Sequence, residues 1–165
     1  EVRIATATRS NDWAKTEYNN LNTPATFYTL GSLEESADVT NPTVSSFSPT
    51  DGNTAVSTSA NLVITFSETV VVVSGDLTIK KTSDDSTVQT IAITDGAVTG
   101  TGTTTITINP PSDLTAGTGY YINIAATAID DASNNSYAGI SNNSTWNFTT
   151  AAAGGGSVIF YDMSF

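Results

Sequence analysis

The chain has 165 residues, 16 Asp plus Glu against five Lys plus Arg, a formal net charge of −11, and neither Cys nor His. Without Cys there is no disulfide, no thiolate nucleophile and no structural zinc site of the usual kind, and without His there is no Ser-His-Asp triad, imidazole base or His-bound transition metal. The acidic balance repels phosphate and so argues against nucleic acid or an anionic membrane as partners, and no apolar run approaches the ~20 residues needed to span a bilayer.

Thr and Ser together supply roughly three residues in ten, far above an ordinary domain. Thr suits a pleated, half-buried surface and is poor in helices because β-branching restricts its side chain. The composition therefore predicts an all-β chain. Charged residues are only 13% of the total, too sparse for a salt-adapted surface, so the exterior is mostly hydroxyl and amide. The chain opens at Glu1 without Met, which is expected of a longer polypeptide's piece or of a chain that has lost a leader.

In chain order, Glu1-Val-Arg-Ile-Ala alternates and predicts a strand with Val2 and Ile4 on one face. Ser10-Asn-Asp-Trp-Ala-Lys-Thr-Glu-Tyr predicts one short helix, with Ser10 or Asn11 as the N-cap and Trp13 and Tyr18 on a shared face. Thr26-Phe-Tyr-Thr-Leu30 reads as a further strand before Gly31, completing a first zone over 1–33. Residues 34–42 are polar, lack periodicity and read as a linker.

Residues 43–150 form the body, where short apolar alternations recur between turn signals. Val44 to Phe47 precede the turn Pro49-Thr-Asp-Gly52. Leu62, Ile64 and Phe66 share a face, and Val70 to Val73 form a run ending at Ser74-Gly75. Leu77 and Ile79 follow, then a turn at Ser83-Asp-Asp-Ser86, then Val88, Ile91 and Ile93. Ile106 and Ile108 are stopped by Asn109-Pro-Pro111; Tyr120, Ile122 and Ile124 make the longest alternation; Trp146 and Phe148 mark the last. Seven to eight strands at this spacing predict a β-sandwich. Residues 151–157 are a Gly-rich spacer, and 158–165, Val-Ile-Phe-Tyr-Asp-Met-Ser-Phe, are an apolar terminal strand in need of a pairing partner.

The body resembles the bacterial Ig-like domain of large surface and S-layer-associated proteins. The motifs that carry this are Phe47-Ser-Pro-Thr-Asp-Gly52, Leu62-Val-Ile-Thr-Phe-Ser-Glu68, Leu114-Thr-Ala-Gly-Thr-Gly-Tyr-Tyr121, Ile129-Asp-Asp-Ala-Ser-Asn134 and Trp146-Asn-Phe-Thr-Thr150. The resemblance implies an Ig-like sandwich in an extracellular, cell-surface setting. The family usually has Gly before the Asn of the late Asp-containing loop, where this chain has Ser133. Residues 1–31 are similar to the closing segment of a concanavalin A-like, laminin-G-type domain, through Glu1-Val-Arg-Ile, Ala7-Thr-Arg-Ser, Asp12-Trp, Thr16-Glu-Tyr-Asn-Asn20 and Phe27-Tyr-Thr-Leu-Gly31.

Chemistry is thin. Glu34-Glu35, Asp84-Asp85 and Asp130-Asp131 are adjacent pairs, which on a strand point to opposite faces and so make no two-carboxylate glycosidase; no catalytic residue is assigned and no enzyme is expected. Asp130, Asp131 and Asn134 crowd one loop as candidate oxygen ligands for Ca²⁺, with Asp51 in the early turn as another; the competing role is Asx-type hydrogen bonding within the turn. No other cofactor is expected. Lys80 and Lys81 read as guards on a strand edge. Tyr120, Tyr121 and Trp146 are a candidate sugar platform, against their use as core, and glycan binding is the alternative function.

The terminal segments are the sharpest feature. Val2, Ile4, Val158, Phe160 and Phe165 are candidate inter-subunit strand contacts, because an apolar strand without a domain of its own can complete a neighbour's sheet. Head-to-tail exchange of this kind does not close on itself and builds a filament of copies or adjacent domains. The expectation is a non-enzymatic structural or adhesive module of a cell surface.

Overall fold

The computed structural model describes residues 8, 10–22 and 36–154. The chain divides into two compact units, 1–37 and 38–165. In the first, α1 (Asn11–Asn22) is the helix expected from the sequence, and the Trp13 N–H donates to Ser10 Oγ at 3.2 Å, so Ser10 is the cap. Trp13, Tyr18 and Leu21 are exposed. The strands expected at the N-terminus and over 26–30, and the candidates Val2, Ile4, Val158, Phe160 and Phe165, lie outside the described residues.

The second unit is an Ig-like β-sandwich. Its strands are β1 (Val44–Ser48), β2 (Asn53–Val56), β3 (Leu62–Val72), β4 (Asp76–Lys81), β5 (Thr87–Ala92), β6 (Val98–Thr99), β7 (Thr103–Ile108), β8 (Gly119–Ile124), β9 (Ile129–Asp131) and β10 (Asn147–Thr150). One sheet has the order β1-β3-β7-β6 with β9 also on β3; the other has the order β2-β10-β8-β4-β5. All pairs are antiparallel except β2 with β10. β1 faces Val63–Phe66 and β9 faces Val70–Val72, both on the side of β3 away from β7, so the two short strands share one edge of the long one.

Alternation builds the core. Leu62, Ile64, Phe66 and Val70 from β3 meet Leu77 and Ile79 from β4, Ile106 and Ile108 from β7, and Tyr120, Ile122 and Ile124 from β8, all at 5% exposure or less. Trp146 is fully buried; its indole N–H donates to Pro49 O at 2.8 Å and its ring stacks on Phe47 at a centroid distance of 4.5 Å. A buried indole with its one donor paired is stable where an unpaired one would not be.

Three strands lie beyond the apolar alternations: β2, β6 and β9, of four, two and three residues, too short to show a period. Val70 to Val72 do not form a separate strand but extend β3, whose ladder with β7 shifts register between Thr65 and Val70. Val88 faces solvent, while Ile91 and Ile93 are buried. Lys80 and Lys81 are not on an edge: β4 runs between β8 and β5, and Lys80 Nζ stands 5.7 Å from the centroid of the Tyr121 ring. The compact unit starts at Asp38, so residues 38–42 of the expected linker count with the sandwich.

Candidate functional site

The late acidic loop begins on β9. Ile129 and Asp131 turn inward there, at 0% and 2% exposure, and Asp130 turns the other way, because neighbours on a strand face opposite sides. The two adjacent carboxylates therefore do not share a site. Asp131 Oδ1 accepts the N–H groups of Ser133 and Asn135, each at 2.8 Å, and Oδ2 accepts the Asn135 Nδ2 amide at 2.8 Å. This is the Asx-type closure weighed against Ca²⁺ in the sequence. Asn134 holds the left-handed backbone at φ 66°, a conformation Asn tolerates, so the Ser at 133 is not required to adopt it.

A different set of carboxylates converges at this point. Asp38, from the segment leading into β1, and Glu68, on β3, each bring a carboxylate oxygen to Asp131, all three lying within 4.8 Å of one another. Asn135 ties the segment in as well, donating from Nδ2 to Asp38 O at 3.1 Å. Partial burial first, then the charges of Asp131 and Asp38, push the Glu68 carboxyl above its ordinary 4.5. For Asp131, burial pushes upward, but the hydrogen bonds from the Asn135 side chain, the Asn135 N–H and the Ser133 N–H outweigh it and hold the group below 3.8. Three hard oxygens at this spacing could hold a divalent cation such as Ca²⁺.

Of the candidate carboxylates, Asp131 belongs to the cluster and Asp130 does not, while Asn134 takes the left-handed position of the turn. Asp51 serves the early turn, its Oδ1 accepting the Asn147 N–H at 2.9 Å. Asp38 and Glu68 escaped sequence reasoning because they stand 30 and 63 residues from their next partner in the cluster. The one local signal was Glu68 itself, the single charge in the run from Leu62 to Val73. The three aromatics do not share a face: Tyr120 and Trp146 are fully buried in the core, whereas Tyr121 lies on the opposite face of β8, covered by Lys80 and donating from its hydroxyl to Asp85 Oδ1 at 3.0 Å.

The cluster marks one of two poles. The chain arrives beside Glu68, where Thr43 O accepts the Ser67 N–H at 2.8 Å and Val44 pairs with Phe66. It leaves at the far end of β3. There Ala151 donates its N–H to Val56 O and accepts from the Gly117 N–H, while Leu114 N–H reaches Thr58 O in the loop before Leu62. The six residue steps along β3 from Leu62 to Glu68 put these points about 20 Å apart.

A family model described as bacterial Ig-like domain matches residues 38–150. The solved structure of the S-layer protein rSbsC(31-844) is similar at 15% sequence identity and a TM-score of 0.44, over 86% of this chain and 16% of that one. The chain thus spans about a sixth of the length of the S-layer structure it matches. No curated protein matches the chain.

Proposed function

Because the chain belongs to the bacterial Ig-like domain family, we propose that it is a non-enzymatic structural module of an extracellular cell-surface protein, joined to neighbouring copies by strand donation. The observation that carries this reading is the position of the two poles. A module whose chain arrives beside Phe66–Glu68, well along β3, and leaves near the start of that strand can be linked in series, each copy extending the array. The apolar run 158–165, beyond the Gly-rich spacer, is the strand that links one copy to the next.

Ca²⁺ is part of the same proposal. Bound by Asp38, Glu68 and Asp131, it would fasten the incoming segment to the sandwich where tension along the array would first pull it away. No observation favours glycan binding over this reading: Tyr120 and Trp146 are in the core, and Tyr121 on the opposite face is covered by Lys80.

Electron microscopy of the purified full chain, beside a variant lacking residues 158–165, tests the proposal. Filaments or linear oligomers are expected from the first and their loss from the second. An intact chain that stays monomeric, or assemblies that survive the deletion, would refute it.

A further inference from the structure

The edge of β1 that faces away from β3 pairs with no other strand among the described residues. Beside it runs a groove of about 550 Å³, lined by Pro42, Val44, Phe47, Tyr137, Ala138 and Thr145 among others, on the open seam between the two sheets. The segment 137–146 forms the far wall as it passes from β9 to β10. Ser45, Ser46 and Ser48 are exposed along the strand, whereas Val44 and Phe47 are half-buried. Val44–Ser48 itself carries none of the Lys, Glu or Pro residues that ordinarily block strand addition, though Pro42 and Pro49 bracket it and a bulge lies between Val44 and Ser46.

Charge selects the occupant. No residue lining the groove is charged, on a molecule whose formal net charge is −11. Two copies repel everywhere except where both surfaces are uncharged and apolar, and the segment 158–165 has one acid in eight residues. The uncharged edge of β5 is a competing acceptor; there the Gln89 side chain turns to the loop after β7, its Nε2 donating to Ser112 O at 2.7 Å.

We propose that the seam at β1 is the acceptor for residues 158–165 of a second copy, added as a strand along Val44–Ser48 with alternate apolar side chains turned into the groove toward Phe47 and Tyr137. This rests on the strand-donation reading and names its receiving surface.

The chain has no Cys, so engineered thiols are its only ones. Full-length Ser46→Cys mixed with full-length Ser164→Cys and oxidised is expected to give a disulfide-linked pair of two chains. The pair Val88→Cys with Ser164→Cys, on the β5 edge, is expected to give none. In parallel, Ser45→Lys with Ser46→Lys is expected to raise the half-association concentration about tenfold or more, and Val88→Lys with Thr90→Lys to leave it within about twofold. Both Lys pairs sit on exposed positions, and an unchanged circular dichroism spectrum establishes that they fold.

Cross-linking through β5, or assembly indifferent to the β1 Lys pair yet lost on deleting 158–165, would overturn the acceptor and leave strand donation standing. A Ser46→Cys, Ser164→Cys double variant that cyclises within one chain at high dilution would replace the second copy by the chain's own end and overturn the proposal. Assembly that survives the deletion would overturn both readings.

Discussion

Asp131 and Glu68 are both acids in one cluster, yet their environments push them in opposite directions. Asp131 accepts three hydrogen bonds and is held below 3.8, so its contribution to stability is fully present above that pH and lost as pH falls through its folded value. Glu68, partly buried beside Asp131 and Asp38, is raised above 4.5. Its ionised form costs stability, and the cost fades as pH falls through the raised value. Glu68→Gln is therefore expected to raise the melting temperature at pH 7, with the advantage shrinking as pH falls through the raised value of Glu68. Added Ca²⁺ is expected to raise the midpoint of the wild type and not of Glu68→Gln. Thermal melts over a pH series, with Ca²⁺ and with a chelator, measure both effects. A midpoint indifferent to the ion in both proteins would remove Ca²⁺ from the proposal. The pairing of these acids was not legible in the sequence, where only the Asp130–Asp131–Asn134 crowding stood out.

At the scale of elements, period-two alternation located the long strands and the residues that fill the sandwich. Leu62, Ile64 and Phe66 were expected on one face and are buried together. Alternation says nothing about which strand lies beside which. Lys80 and Lys81 looked like edge guards, yet β4 is interior to its sheet, and the edge lies on β5. Position within the sheet then sets the cost of substitution. Ile79 on β4 is fully buried, so Ile79→Ala is expected to cost about 2–5 kcal/mol from lost burial and the cavity left behind. Val88 on β5 is 39% exposed, and Val88→Ala is expected to stay within about 0.5 kcal/mol. Chemical denaturation of the two variants checks this, and comparable losses from both would contradict the assigned faces.

The molecule as a whole combines an uncharged seam at β1 with a formal net charge of −11. That charge opposes association of copies, and salt screens it, since the Debye length is about 10 Å at 0.1 M and about 30 Å at 0.01 M. Assembly of the full chain is accordingly expected to strengthen as NaCl rises from about 0.01 to about 0.1 M. Light scattering follows it directly. Weaker assembly at the higher salt would mean that ion pairs rather than an apolar strand join the copies.

By itself the sequence determined the all-β class, the faces of the long strands, the short helix α1 and the want of thiol or imidazole chemistry. Each follows from composition or from backbone geometry within a few residues. Only the tertiary structure decided that Asp38, Glu68 and Asp131 meet, that Tyr120 and Trp146 are in the core while Tyr121 lies on the other face of β8, and that β1 is left with an open edge. These depend on contacts between residues tens of positions apart. Local periodicity sets which way a side chain points and leaves undecided what it points at.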